Sequence, residues 1–225
     1  MTNQKIKQND FHSVPRQSAR LEERKIRKPY EVECCGMKIV VNPGVYQTSG
    51  DSDLMAESVK IENNETFLEI GCGTGVVSIA VAKRAKNGIG VDINDKAVEN
   101  SKQNAGAQDV RNIEFLVSNV FENVSGKFDV IICNPPYTKH EVRDNIDRMF
   151  WDPEDEMKRK FFEEVGAYLK PSGRIYFGWA DFADIDVDLP FRLANENGYE
   201  IVNKFSKPHS KDFTFYVLEF KSAQP

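Results

Sequence analysis

The chain has few of the residues that hold a small protein together covalently or through metal. Among its 225 residues there are four cysteines and three histidines. No two cysteines are spaced C-x-x-C. Cys34 and Cys35 adjoin and cannot easily bridge each other, while Cys72 and Cys133 lie far off. His12, His140 and His209 are scattered without ligand spacing. These spacings argue against a disulfide framework and a zinc site, so a reduced chain without metal is the expectation. Long apolar runs are missing too: none approaches the ~20 residues of a membrane span. The first residues are polar and charged, unlike a secretory signal, and a cytoplasmic location is expected. An overall positive charge is also absent. The net charge of −5 argues weakly against a general nucleic-acid coat. There is no internal repeat and no low-complexity tract.

What is present is a globular composition, 40% apolar and 29% charged, in a length suited to one domain with a short arm. Charge is unevenly placed. Residues 1–30 carry eight basic and three acidic side chains, whereas the rest carry 22 basic and 32 acidic. Residues 1–42 therefore read as a basic N-terminal arm followed by a short hairpin, and 43–225 as the main domain. The arm, residues 1–29, is expected to be mobile and to serve substrate capture; a short amphipathic helix at Ser18–Ile26 is the alternative. Tyr30–Cys34 and Met37–Val41 read as the hairpin strands around Cys35-Gly36. Ser52–Val59 reads as a helix.

From Thr66 onward strands and helices alternate. Strands are predicted at Thr66–Ile70, Gly88–Ile93, Ile113–Val117, Phe128–Cys133, Arg174–Gly178, Glu200–Phe205 and Phe213–Phe220. Helices are predicted at Val76–Ala85, Lys96–Ala105, Glu154–Tyr168 and Leu189–Asn197. This alternation implies an α/β fold, a mostly parallel sheet covered on both faces. The last two strands have no helix between them and should pair antiparallel.

Two motifs fall at the carboxyl edge of that sheet. The first is Glu69-Ile70-Gly71-Cys72-Gly73-Thr74-Gly75, between a strand and a helix. Its glycines let the backbone turn sharply and approach a ligand. Asp92 ends the next strand, where a carboxylate can hold both hydroxyls of a ribose. A tight turn without ligand is the bland alternative, and a dinucleotide site the rival one. The dinucleotide fingerprint wants a small residue where this chain has Val76. Glu69 also suits a ligand with a cationic amino group better than a pyrophosphate, and S-adenosylmethionine has that group, a ribose and no phosphate. The second motif, Asn134-Pro135-Pro136-Tyr137, follows the strand Phe128–Cys133. A strand-ending turn is its bland reading. Its chemistry is specific, however. A conjugated nitrogen is a poor nucleophile. An acceptor on Asn134 and the Pro135 carbonyl can take both N–H bonds of an –NH2 group and free its lone pair. Prolines fix the backbone, and Tyr137 can stack on a planar group. Methyl displacement then needs mainly positioning.

With these motifs in this order, the chain over roughly residues 43–220 resembles class I S-adenosylmethionine-dependent methyltransferases of the Asn-Pro-Pro-Tyr type. The resemblance implies a doubly wound, Rossmann-like sheet of seven strands in the order 3-2-1-4-5-7-6, strand 7 antiparallel. It implies S-adenosyl-L-methionine as cofactor. Glu69, Gly71, Cys72, Gly73 and Gly75 would line its methionine end. Asp92 would bind the ribose, Ile93 would pack on the adenine, and Asn119 with Val120 would face the adenine amine. Asn134, Pro135 and Tyr137 would be catalytic, with Asn134 also at the cofactor.

The segment from Gly44 to Leu54 resembles its counterpart in HemK-type protein-glutamine methyltransferases. Tyr46, Thr48, Asp51 and Ser52 would there close over the cofactor. The implied reaction is N-methylation of a planar nitrogen, a protein glutamine amide foremost, with adenine N6 or guanine N2 in RNA or DNA as the alternative. A catalytically silent cofactor-binding or partner-binding scaffold is a second alternative. The implied partners are a protein substrate, or nucleic acid through the basic arm, with a small activating subunit left open. Two departures stand out. The larger helical substrate domain of bacterial release-factor enzymes has no counterpart in the ~65 residues before the first strand. Met149-Phe150-Trp151-Asp152-Pro153 also stands where HemK-type enzymes often carry a glycine-rich stretch. It reads as an aromatic turn beside the substrate pocket or as an anchor for the next helix.

Overall fold

The computed structural model describes residues 13–182, 186–209 and 213–223. Its centre is a seven-stranded sheet: β3 (Thr66–Ile70), β4 (Asn87–Asp92), β5 (Ile113–Val117), β6 (Phe128–Cys133), β7 (Leu169–Ala180), β8 (Tyr199–Pro208) and β9 (Thr214–Ser222). An antiparallel pair, β1 (Tyr30–Cys34) and β2 (Met37–Val41), stands ahead of it. The sheet order is β5-β4-β3-β6-β7-β9-β8. Counted within the sheet, that is the expected 3-2-1-4-5-7-6. The strands from β3 to β7 pair in parallel, and β9 runs antiparallel to both β7 and β8. β3 and β6 are buried along nearly their whole length, so apolar residues occupy consecutive positions instead of alternating.

The helices are α1 (Val14–Ile26), α2 (Gly50–Ser58), α3 (Val76–Ala82), α4 (Asp95–Ala107), α5 (Glu156–Tyr168) and α6 (Leu189–Glu196). They fall into two groups. α2, α3 and α4 pack in succession, whereas α5 and α6 pack on each other and on β7 and β8. Each βα unit thus delivers its loop to one edge of the sheet, where β3, β4, β5 and β6 all end. A 3-10 turn at Pro153–Asp155 delays α5 by two residues from its expected start.

The N-terminal segment departs from the expected mobile arm. Residues 1–12 lie outside the described residues, but Val14–Ile26 form α1, opened by Pro15 in its first turn. Only Gln17 and Leu21 of this helix are buried. It is seated by polar contacts instead. Trp151 Nε1 donates to Gln17 Oε1 (2.6 Å), and Gln17 Nε2 donates to Thr138 (3.0 Å). Lys25 reaches Asp147 (2.6 Å) and Asp144 (3.1 Å), and Arg143 reaches Glu22 (2.6 Å). The Arg24 guanidinium lies over the rings of Tyr46 (5.1 Å) and Phe150 (5.0 Å). Arg24 and Lys25 of the helix are therefore engaged with the protein's own surface.

Candidate active site

The strand ends of the carboxyl edge surround a cavity of about 420 Å³. All but one of the sequence-predicted residues line it: Tyr46, Thr48, Asp51, Ser52, Glu69, Gly71, Cys72, Gly73, Asp92, Ile93, Asn119, Val120, Asn134, Pro135 and Tyr137. Gly75 is the correction. It is not part of the lining. At a φ of +79° it caps α3, and a Cβ there would come within 2.9 Å of Ser101. Its place is the α3–α4 packing. The cavity also has a roof that sequence reasoning missed: Gln17, Arg20 and Arg24 of α1 face into it.

The glycine loop is built backward onto β4. The amides of Gly71 and Cys72 donate to Val91 O (2.8 and 2.9 Å), and that of Gly73 to Asp92 Oδ2 (2.9 Å). Asn94 N donates to the other Asp92 oxygen (2.9 Å). Asp92 is thereby fixed at the rim by two backbone donors, while burial raises its pKa above the ordinary carboxylate value. Glu69 lies on β3, buried among apolar neighbours, and takes the hydroxyl of Ser78. Burial pushes it up to about 8, with the charge of Asp92 acting in the same direction. A carboxyl held this way is ready to ionise when a cation arrives beside it.

The tetrapeptide is held from three sides. Asn134 Nδ2 donates to Asp51 Oδ2 (3.0 Å), and Tyr137 OH donates to Asn134 Oδ1 (2.8 Å). A carboxylate only accepts, so Asp51 fixes which end of the amide is nitrogen. The Asn134 oxygen keeps a second lone pair beyond the one that Tyr137 uses. Gly178 on β7 makes room: a Cβ there would stand 2.1 Å from Asn134 Oδ1. Behind the motif, the buried Lys158 donates to the Pro136 carbonyl (3.1 Å) while paired with Asp152 (2.7 Å) and Asp155 (3.1 Å). Tyr137 packs edge-on against Trp179 and Phe182. In the aromatic turn Phe150 and Trp151 line the cavity, and the hold on α5 comes from a carboxylate and not from an apolar anchor, since Asp152 accepts from Met157 N and Lys158 N.

The donor set suits S-adenosylmethionine. Thr48 Oγ1 and Thr74 Oγ1 are buried at the cavity without a hydrogen-bond partner, as is Nη1 of Arg24. A Cβ built on Gly71 or Gly73 meets nothing within 4 Å, so the loop leaves open space where a ligand would lie. Acceptors stand ready at Asp92 for a diol and at Glu69 for an ammonium.

Such a sheet, with a glycine loop, a carboxylate at the end of the next strand and this tetrapeptide on one edge, defines a class I methyltransferase. Residues 36–205 match the family model of the methyltransferase small domain. The chain belongs to that family and is an S-adenosylmethionine-dependent methyltransferase. It is 43% identical over 149 residues to a putative protein N5-glutamine methyltransferase of Methanocaldococcus jannaschii, covering 63% of this chain and 75% of that protein. A release factor glutamine methyltransferase of Fusobacterium nucleatum is 26% identical over 205 residues, 80% of this chain and 56% of its own length. Other curated relatives are matched over 28% to 56% of their length. Among solved structures, Methanocaldococcus jannaschii Trm5 in complex with adenosine shares the fold with a TM-score of 0.66 and 22% identity, over 88% of this chain and 57% of that one. The ribosomal protein L11 methylase of Lactobacillus delbrueckii subsp. bulgaricus does so at 0.62 and 20%, over 82% and 84%. Among the described residues no helix is long and apolar enough to cross a membrane.

Proposed function

We propose that the protein methylates a protein glutamine side chain on its amide nitrogen. The observation that carries this reading is the orientation of Asn134: Asp51 holds its nitrogen and leaves an acceptor lone pair on its oxygen. That lone pair would take one N–H of a planar –NH2 group, with the Pro135 carbonyl for the other. S-adenosylmethionine supplies an electrophilic sulfonium methyl when bound. In this reading Glu69, Thr48 and the glycine loop hold the amino-acid end, and Asp92 holds the ribose. Asn119 turns its nitrogen to Glu122 (2.8 Å), which leaves its oxygen for an adenine amine. No residue need remove a proton before transfer, because the nitrogen attacks as a neutral amide and loses its proton afterwards to water.

Glutamine is favoured over a nucleobase on two grounds. Two of the curated relatives named above bear the names of glutamine methyltransferases. The basic side chains Arg24 and Lys25 of the N-terminal segment, the natural phosphate contacts, are engaged with aromatic rings and carboxylates. The deciding experiment is transfer of labelled methyl from the cofactor into a cell extract, followed by protease or nuclease digestion and mass spectrometry of labelled peptides. Protease-sensitive label on glutamine is the expected result. Nuclease-sensitive label would overturn the substrate and leave the Asn134 chemistry in place.

A further inference from the structure

Cys34 and Cys35 do not line the cavity, and neither does Asp53. Spacing in the sequence marks no metal site here, because the third group comes from a different element. The β1–β2 turn lies on the first turn of α2, and Asp53 points back at the two thiols. Among the described residues these three bring their ligand atoms within 4.8 Å of one another. The two sulfurs stand 3.7 Å apart, and Cys34 Sγ lies 3.3 Å from Asp53 Oδ1. Around a tetrahedral zinc, two thiolate sulfurs stand about 3.8 Å apart, and a sulfur and a carboxylate oxygen about 3.6 Å. The two measured separations lie close to these values.

We propose that Cys34, Cys35 and Asp53 form a binding site for a thiophilic divalent cation of the zinc class, clamping the β1–β2 turn onto α2. Binding breaks two S–H bonds and releases both protons to solvent. Two metal–sulfur bonds and one metal–oxygen bond form, and water fills the fourth position. The resulting charge of one unit negative faces Lys207, whose Nζ is 3.7 Å from Asp53. Cys35 N donates to Asp53 (2.7 Å), so the carboxylate is already oriented by a backbone group.

The backbone supplies an independent sign. Cys35 has a φ of +53° in a turn where asparagine, aspartate or glycine is the low-strain choice. A cysteine at that position carries a backbone cost that asparagine or glycine would avoid, which fits a ligand role. Asp51, the residue that orients Asn134, lies on the same first turn of α2, so metal occupancy would also stiffen the active site.

The test is Co²⁺ titration of the full chain under a non-thiol reductant. One equivalent should give thiolate-to-cobalt charge-transfer absorption and tetrahedral ligand-field bands, both abolished by Zn²⁺. Zn²⁺ should also raise the Tm. Cys35→Asn suits the left-handed backbone and should fold at least as well as the wild type. It should weaken Co²⁺ binding by more than the 10–100-fold typical of losing an outer partner. Asp53→Asn should weaken it as well, with both thiolates still present. Absence of the charge-transfer band at one equivalent, or the same band in Cys35→Asn, would overturn the proposal.

Discussion

At the scale of single residues, the site depends on how one amide is turned. Asn134→Ala removes the acceptor and should cut turnover on the true substrate by roughly 10²–10³-fold, the loss typical of one preorganised polar contact. Cofactor affinity, read by calorimetry, should hardly change, because Asp92 and the glycine loop lie on other strands. Gly178→Ala attacks the same group from β7. Its methyl would collide with Asn134 Oδ1, so turnover should fall without loss of a catalytic atom, together with about 1–3 kcal/mol of stability in denaturant melts. Normal turnover in Gly178→Ala would show that the oxygen position is not critical. Asn134 itself was legible in the sequence, since its tetrapeptide follows an apolar strand. Gly178, Asp51 as its orienting partner and the Lys158 clamp on Pro136 were not. Each acts across a long sequence separation, and no local pattern records such pairings.

At the scale of elements, the central strands and the helices between them were readable because a sheet buried on both faces leaves consecutive apolar residues. α1 was not. A single leucine is its only buried apolar side chain, and it binds through Gln17, Arg24 and Lys25, which carry no periodic hydrophobic signal. Part of the charge asymmetry that reads as a mobile capture arm, Arg24 and Lys25, lies on a helix docked beside the cavity. Deleting residues 1–28 should therefore do two things. Exposing the site of Leu21 should cost about 1.5–3 kcal/mol of stability. Opening the cavity should also raise the Kd for cofactor, measured by calorimetry. An unchanged Kd in a folded truncation would show that α1 covers the substrate side alone.

At the scale of the molecule, two carboxyl groups shifted in opposite directions set the pH response. Glu69 is raised to about 8, so the folded chain keeps a proton that the unfolded chain loses above its ordinary value of 4.5. Its contribution is full below that value and is lost as pH climbs toward 8. Asp147 is the reverse case. Burial would raise it, but hydrogen bonds from Arg143 and Lys25 prevail and hold it well below the ordinary 3.8. Its contribution is present above that value and is lost as pH falls. Denaturant melts against pH should give greatest stability in the mildly acidic range, and Glu69→Gln should flatten the alkaline limb. The ligand reverses this preference. An ammonium beside Glu69 favours the ionised form, so cofactor affinity should rise with pH by up to about tenfold per unit below pH 8. Calorimetry in buffers of different ionisation enthalpy should detect the released proton, and Glu69→Gln should abolish both effects.

The roof has a consequence for how the chain is made. Gln17 emerges from the ribosome early, but its partner Trp151 follows 134 residues later. At about 5–20 residues per second, α1 waits roughly 7–27 s for its seat. During that interval the glycine loop and Asp92 already exist and can fold, while the chamber stands open above them. α1 thus cannot take its seat until Trp151 has been made, and a nascent chain can admit cofactor before that helix closes the door.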